Sequence, residues 1–314
     1  MSRSNDPSRS NAVLYSPGLA AKTGKIDHPL TNDVVFHSAV QHSNKVLRLL
    51  ICSLSGLQPE EVEEVHLENP IDFQEMTDKE IVMDVKVKLN RGRLIDVELQ
   101  IRIVPDDDWW IKRSLVYLCR CFDNLERSND YDQLMPATQI TIVPRDLFTK
   151  AEPEFYARYY MTNEKTGHIY TRDFGLSVVY LNHIDLATEA DKASALDTWG
   201  RAFCARTWEE LKEVCAEHEG FEEVAEMVYR SNTDQQERIL AEMHDRYQTM
   251  MACFYGSGLK KGRKQTEEKL QPILDQKDRE LAGKDRELER QKQENSELSA
   301  RIRELEAKLA ENGS

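Results

Sequence analysis

The chain has 314 residues, enough for one large domain or two smaller ones with a proper apolar core. It contains no run of about 18 apolar residues, so a membrane span is not expected. The formal net charge of -14 argues against a protein whose whole surface binds nucleic acid, although a local basic rim around an acidic, metal-filled centre is compatible with it.

The cysteines and the N-terminal segment indicate the cellular compartment. The six cysteines are scattered and form no Cys-x-x-Cys pair, which argues against structural zinc and favours mostly buried free thiols in a reducing cytoplasm. Residues 1–27 lack the apolar core of a signal peptide and are rich in Ser, Asn and Pro, so we predict a disordered tail. We therefore expect a cytoplasmic protein without a membrane segment.

The first ordered region is predicted to be helical. An N-cap sequence at residues 31–33 precedes apolar residues at mixed spacings of three and four up to Leu54. This pattern predicts one helix or a pair of helices that end near Gly56. Shorter strand-like pieces follow around Val62, Val65 and Leu67.

A β-hairpin is predicted next. Residues 81–89 and 94–103 both alternate between apolar and polar side chains, and the turn residues 90–93 separate them, which is typical of antiparallel strands. The period of two places the polar residues of the second strand on one face. These residues are Asp96, Glu98, Gln100 and Arg102, whereas Ile95, Val97, Leu99 and Ile101 point the other way.

The remaining elements complete a mixed α/β fold. Residues 109–125 predict a helix with an apolar stripe, and we expect its first two residues, Trp109 and Trp110, to anchor it in the core. Stacking of these two rings on nucleic-acid bases is the alternative. The stripe consists of Ile111, Leu115, Leu118, Phe122 and Leu125. Strands are predicted at residues 139–143, 155–161 and 168–181, and residues 185–255 are predicted to be helical. This order of elements suits a mixed sheet flanked by helices.

The C-terminal segment has the pattern of a coiled coil. Leu274, Leu281, Leu288, Asn295, Ile302 and Leu309 recur every seven residues, with Leu270, Leu298 and Leu305 in the companion register. Lys277, Lys284 and Gln291 weaken the middle of this seam, and a single charged helix is the alternative interpretation. We predict a homo-oligomer through residues 265–312 and four regions: a tail (1–27), a nuclease-like domain (28–185), a helical region (186–262) and a coiled coil (263–314).

Two carboxylates stand out on the hairpin. If Asp84 and Glu98 lie on one face of adjacent strands, they can share a hard divalent cation through their oxygens. Such a cation polarises a phosphodiester and lowers the pKa of a bound water. The simpler alternative is a half-exposed hairpin whose polar face needs no cation. Lys86 or Lys88 would then neutralise the two carboxylates.

The succession of motifs resembles a known family. The residues that carry the resemblance are Thr31-Asn32-Asp33-Val34-Val35-Phe36, Asp84-Val85-Lys86, the turn with Gly92, Val97-Glu98-Leu99-Gln100 and Lys112-Arg113-Ser114-Leu115-Val116-Tyr117. In this order, over roughly residues 28 to 185, they resemble the PD-(D/E)XK nuclease family transposases, which include the Rpn recombination-promoting nucleases. The resemblance implies a restriction-endonuclease-like fold and cleavage of DNA that depends on Mg²⁺ or Mn²⁺, in recombination or mobile-element biology.

The resemblance also implies roles for individual residues. Asp84 matches the first acidic position of the family and Glu98 the second, so both are expected metal ligands and, with Gln100, catalytic residues. Gln100 stands where the motif name has Lys, and glutamine cannot supply a positive charge. Lys86 or Lys112 would have to lend that charge.

Three further residues are auxiliary candidates. Asp33 begins the first helix and would be either a helix cap or a third metal contact. Arg113 and Tyr117 lie one turn apart on the helix after the hairpin, where Arg113 would meet a phosphate or a catalytic carboxylate, or form a surface salt bridge. The histidines show no metal-ligand spacing and are interpreted as ordinary surface or core residues.

Two functions of different classes are compatible with these patterns. The first is a magnesium-dependent DNA endonuclease. The second is a catalytically inactive, nuclease-derived scaffold that binds DNA or protein and oligomerises through its coiled coil. The ordered resemblance and the expected placement of Asp84, Glu98 and Gln100 on one face motivate the first function, which we prefer. The glutamine at position 100 and the acidic net charge motivate the second as the alternative.

Overall fold

The structure is a computed structural model that describes residues 15–58, 62, 65–68, 85–89, 92–101, 108–125 and 129–312. The predicted site residue Asp84 lies outside the described residues, as do Arg102 and the rest of the predicted strand segment 81–84. The chain divides into two compact units, residues 1–247 and 248–314, and each is described by itself. The boundaries between the four regions predicted from the sequence remain a prediction.

The chain is ordered earlier than the sequence suggested. Part of the segment predicted as a disordered tail, residues 15–27, packs on the first unit. Leu19 of α1 (Pro17–Ala20) and Ile26 are buried, and the Ile26 amide donates a hydrogen bond of 2.9 Å to the carbonyl of Arg206. The prediction of disorder is wrong here because two apolar side chains and a backbone contact outweigh the polar composition.

The predicted pair of helices is confirmed as α2 (Asp33–His42) and α3 (Asn44–Ser55). Asn32 caps α2 by accepting from the amides of Val34 and Val35, and the Ser43 side chain caps α3. The second helix ends at Gly56, whose φ of 68° lies in the left-handed region that favours glycine.

The described strands form one mixed sheet of six strands in the order β1-β2-β3-β4-β6-β5. Their bounds are β1 Val65–Leu67, β2 Val85–Leu89, β3 Leu94–Leu99, β4 Ala137–Val143, β5 Tyr156–Tyr160 and β6 Phe174–Tyr180. The pairs β3/β4 and β4/β6 are parallel, and the other neighbours are antiparallel. The predicted hairpin is therefore confirmed, with Gly92 at a φ of 74° in its turn.

The two faces of the sheet meet different helices. Ile95, Val97 and Leu99 of β3 belong to the main core, which also includes residues of α2, α3 and the helices after residue 195. The opposite face is covered by α4 (Asp108–Phe122). The strand periodicity thus assigned the faces of β3 correctly, and it places Asp96 and Glu98 beneath α4.

The buried face of α4 differs from the apolar stripe that the sequence predicts. Trp110, Ser114, Leu118 and Cys121 are buried, whereas Ile111 and Leu115 are exposed. Trp110 packs with Val143 and Val178, and this large contact turns the helix by one residue. The expected core role holds for Trp110 but is wrong for Trp109, which is 60% exposed.

The rest of the chain is mainly helical, as predicted. The helices are α5 Glu189–Ala193, α6 Leu196–Cys204, α7 Trp208–Cys215, α8 Glu222–Thr233 and α9 Gln235–Asn312. In the second unit the described residues 248–312 are helical throughout, with Pro272 inside the helix. The coiled coil itself stays a prediction.

All six cysteines are free, but only Cys52, Cys121 and Cys215 are buried. The expectation of mostly buried thiols is therefore wrong for Cys119, Cys204 and Cys253, which are exposed. Among the described helices, none combines the length and the apolar character needed to cross a membrane.

Candidate active site

Glu98 lies near the end of β3 on the face that α4 covers. Its side chain is only 3% exposed, although a carboxylate is costly to bury without compensation. The compensation comes from α4, because Arg113 Nη2 lies 2.6 Å from Glu98 Oε1. The sequence left open whether Arg113 meets a carboxylate of the site or forms a surface salt bridge, and in the structure its partner is the buried Glu98.

Two aromatic rings hold the Arg113 side chain in this position. The guanidinium carbon lies 5.5 Å from the centre of the Trp109 ring and 5.1 Å from that of Tyr117. These residues stand one turn before and one turn after Arg113, so the helix itself sets the arrangement. The exposed Trp109 thus contributes to the site through Arg113 rather than through the core.

A polar network on β4 continues the site under α4. Gln139 and Thr141 are fully buried, and the Gln139 amide donates to Thr141 Oγ1 at 3.0 Å. The same amide reaches Glu98 Oε2 at 3.5 Å, the outer limit of a hydrogen bond. Asp96, which is also buried, pairs in register with Gln139. The central strands therefore carry a buried polar layer beside an apolar core.

Asp33 approaches the same centre from α2. It is not the helix cap, a role that Asn32 fills, so the capping interpretation is wrong. Asp33 Oδ2 lies 2.8 Å from Nε2 of the buried His244, whereas Asp33 Oδ1 is buried and has no hydrogen-bond partner among the residues that the structure describes. The pKa of Asp33 lies above its ordinary value, mainly because the carboxyl group is buried. The hydrogen bond and charge of His244 and the charge of Arg113 oppose this shift. Arg113 is therefore within electrostatic reach of both Asp33 and Glu98.

The start of α9 fixes the N-terminus of α2. The Asn32 amide donates to the Ala241 carbonyl at 3.1 Å and to Asp245 Oδ1 at 2.9 Å, and His28 Nδ1 lies 3.1 Å from Asp245 Oδ2. Asp245 and its neighbour His244 thus tie down the helix end that carries Asp33. This attachment gives Asp33 a defined position.

The other predicted residues lie at the edge of this arrangement. Lys86 is half-buried on β2 and pairs in register with Asp96, so their side chains share a face. Gln100 follows β3 directly, and its backbone N–H donates to the Ile142 carbonyl at 2.9 Å. Strand pairing with β4 thus extends to Gln100, whose side chain is half-buried. Lys112 is exposed on α4.

The sequence interpretation missed three residues of this centre, namely Gln139, Thr141 and His244. Gln139 and Thr141 alternate with Ile140 and Ile142 on a buried strand, so a signal for a polar layer was present in the sequence. No spacing pointed to His244, because 211 residues separate it from Asp33. Its contact depends on the folded arrangement of α2 and α9.

The carboxylate oxygens of this site are ligands of the kind that a hard divalent cation prefers. Across the described part of the chain, no group of three or more His, Cys, Asp or Glu side chains is arranged to hold a metal ion. Asp84, one of the two expected ligands, is not among those residues. The buried Asp33 Oδ1 without a hydrogen-bond partner and the carboxylate of Glu98 are nevertheless oxygen donors of the kind that Mg²⁺ prefers.

Comparison with known proteins identifies the family of this chain. The chain matches the family described as "PD-(D/E)XK nuclease family transposase" over residues 30–253. This range includes Asp33, Glu98, Arg113 and His244. Neither a search of curated proteins nor one of solved structures gave a match. Since the matched range spans most of the chain, the protein belongs to the PD-(D/E)XK nuclease family transposases.

Proposed function

We propose that this protein is a magnesium-dependent DNA endonuclease, associated with recombination or transposition, with Asp84, Glu98 and Gln100 as its catalytic residues. Membership of a nuclease family with a restriction-endonuclease-like fold supports DNA as the substrate. The observation that carries the proposal is the burial of Glu98 against Arg113 at the end of a central strand. Burial of a carboxylate in this way carries a desolvation penalty that lowers the stability of the fold, and such residues are typical of functional sites.

The strand register supports the pairing of Asp84 with Glu98. Val85 pairs with Val97 in the antiparallel ladder of β2 and β3. A ladder continued by one residue would pair position 84 with position 98, on the same face of the sheet. We therefore propose Asp84 and Glu98 as the ligands of Mg²⁺ or Mn²⁺, with Asp33 as a third contact.

When bound, the cation would polarise the scissile phosphodiester and lower the pKa of the attacking water. Arg113 orients Glu98 through their 2.6 Å contact and can also meet a phosphate oxygen, and Tyr117 holds its guanidinium from one side. Gln100 would orient the water through its amide, and Lys86, on the face of Asp96, would supply positive charge.

The test is the metal dependence of cleavage. The full-length protein, treated with EDTA and then dialysed, is incubated with supercoiled plasmid. We expect nicked or linear DNA after addition of Mg²⁺ or Mn²⁺ and intact plasmid in EDTA. Cleavage that persists in EDTA would contradict the metal requirement, and intact plasmid with every divalent ion tested would contradict the endonuclease itself.

An inactive scaffold is the second candidate. Glu98 already has a cationic partner in Arg113, and Gln100 offers no positive charge for the reaction. Both facts suit a centre that no longer binds a cation. A DNA gel shift by the wild type without cleavage, and unchanged in the Asp84→Ala variant, would favour this function.

We further propose that residues 265–312 form a homo-oligomeric coiled coil. Where the structure describes the side chains of the heptad seam, the large apolar residues are each 49–62% exposed on the single helix. These residues are Leu270, Leu274, Leu281, Leu288, Leu298 and Ile302. Partner helices would bury this surface, which is the driving force of such assemblies.

Substitutions on the seam test the oligomer. Leu281→Lys with Leu288→Lys places two charges in the seam and is expected to reduce the mass measured by light scattering to that of one chain. The matched control is Ala282→Lys with Ser296→Lys, each one residue after a seam position, which also adds two positive charges and should leave the oligomer intact. An unchanged mass after the Leu substitutions, or after deletion of residues 265–312, would refute the coiled coil.

A further inference from the structure

Positive charge is concentrated in one short segment of this acidic chain. Residues 246–266 contain five cationic residues and no acidic one, although the chain carries 56 Asp and Glu against 42 Lys and Arg. Four of the five lie together as Lys260, Lys261, Arg263 and Lys264. We call these four residues the basic segment.

The basic segment forms a compact charged surface on α9. With 3.6 residues per turn, its four side chains span an arc of about 160° and less than two turns of helix. All four are exposed. Arg263 and Lys264 have helical partners in Glu267 and Glu268, at 2.8 and 3.9 Å, whereas Lys260 and Lys261 form no ion pair with the part of the chain that the structure describes.

The rest of the same helix is different. From residue 267 to 312 the sequence has 13 acidic and 10 basic residues, which are interleaved. Several of its cations are matched within one turn, as in Lys277–Glu280 at 2.9 Å, Arg290–Glu287 at 2.8 Å and Lys292–Glu289 at 3.0 Å. The unbalanced charge of the basic segment is therefore not a general property of this solvated helix.

The backbone around the basic segment is open. Gly256, Gly258 and Gly262 lie in the helix, and a Cβ added at any of them would meet no atom within 4 Å in the described part of the chain. Glycine in a helix interior is less stabilising than alanine, but it permits a close approach of a ligand to the backbone. An extended polyanion could therefore lie close to the helix at this point.

We propose that the basic segment binds the phosphate backbone of DNA, without reading its sequence. The choice of DNA rests on the proposed function, since a chain with a net charge of -14 that acts on DNA needs a local cationic surface to offset repulsion. Lysine and arginine side chains neutralise phosphates and release counterions, which favours binding at low salt.

An anionic membrane is the competing partner, and the sequence favours DNA. Helices that lie on membranes carry a continuous apolar face beside their cations. Between residues 256 and 266, Leu259 is the only strongly apolar residue. The basic segment thus lacks an apolar face of its own.

The test compares two variants of the full-length protein that lose equal charge. The first replaces Lys260, Lys261, Arg263 and Lys264 with glutamine. The second, the matched control, replaces Arg279, Arg286, Arg290 and Lys292 with glutamine. These four residues also lie outside the heptad seam. Binding to a duplex of about 30 base pairs is measured by fluorescence anisotropy in EDTA, from about 50 to 200 mM salt.

We expect the first variant to bind at least about tenfold more weakly, because up to four phosphates are no longer neutralised. The slope of log K against log salt should fall by about 3 to 4, at about 0.9 for each such phosphate. The control should keep the wild-type slope. Equal slopes for the wild type and both variants would overturn the proposal. So would binding of the wild type to phosphatidylserine vesicles, abolished in the first variant, with unchanged DNA binding.

Failure of this inference is separable from failure of the proposed function, because binding is measured in EDTA and cleavage in Mg²⁺. If the wild type binds through the basic segment but never cleaves, the inference stands and the endonuclease fails. If the wild type cleaves and the first variant binds DNA like the control, the inference fails and the endonuclease stands.

Discussion

Replacing Glu98 with glutamine, or Asp84 with alanine, is expected to slow Mg²⁺-dependent plasmid cleavage by at least about 100-fold. Removing a residue that only orients a metal ligand typically lowers metal affinity or activity by about 10 to 100-fold. Removing the ligand itself should lower activity at least as much. Glutamine keeps the shape of Glu98 but lacks the negative charge that a divalent cation requires.

Glu237→Gln is the matched control for this prediction. Glu237 is also a buried carboxylate of the first unit, 5% exposed, and Ser38 Oγ donates to it at 2.5 Å. It takes no part in the contacts of Glu98 and Arg113. The cleavage rate of this variant should stay within a few-fold of the wild type. The control thus separates a general effect of removing a buried carboxylate from the loss of a catalytic residue.

The measurement is the initial rate of nicking at saturating Mg²⁺, with circular dichroism to establish that each variant is folded. A Glu98→Gln variant that is folded and cleaves at the wild-type rate would remove Glu98 from the catalytic centre. Equal losses in Glu98→Gln and Glu237→Gln would point to a general effect on the fold instead.

The sequence was sufficient for those parts of the fold that depend on local patterns. Period two on β3 separated Val97 from Glu98, and the turn with Gly92 indicated an antiparallel hairpin, as found. Residues 31–33 also predict the N-cap of α2, and the capping residue is Asn32 rather than Asp33. Local patterns locate an element well and assign individual roles at its ends less well.

The candidate site could be predicted only in part, since its contacts join distant segments. The sequence predicts that Arg113 meets a carboxylate or a phosphate, but it cannot decide between a catalytic carboxylate and an exposed partner. His244 could not be assigned at all, because its contact with Asp33 depends on how α9 packs against α2. The rotation of α4 likewise depends on the packing of Trp110 against the sheet.

Arg113→Met is expected to lower the free energy of unfolding in EDTA by about 3 kcal/mol. Removing one partner of a buried ion pair costs about 3 to 5 kcal/mol, and the low end applies here because Arg113 is 25% exposed whereas Glu98 is 3% exposed. The substitution leaves the Glu98 carboxylate buried without its cation. Methionine retains much of the apolar contact with Trp109 and Tyr117.

Arg246→Met is the control for the loss of an arginine from an ion pair. Its pair with Glu242 is largely exposed on α9, so its removal should change the free energy of unfolding by no more than about 0.5 kcal/mol. Urea denaturation measures both variants under the same conditions. Equal costs for Arg113→Met and Arg246→Met would show that the buried pair contributes no more than an exposed one.

A double variant separates the ion pair from other effects of Arg113. Adding Glu98→Gln to Arg113→Met removes the buried charge that the single substitution leaves uncompensated, so the two effects should not add, with a coupling of at least about 1 kcal/mol. Mg²⁺ should also stabilise Arg113→Met more than the double variant, because only the first retains the Glu98 carboxylate beside the other proposed contacts of the cation, Asp84 and Asp33. A Mg²⁺ effect of equal size in both would place the bound cation away from Glu98.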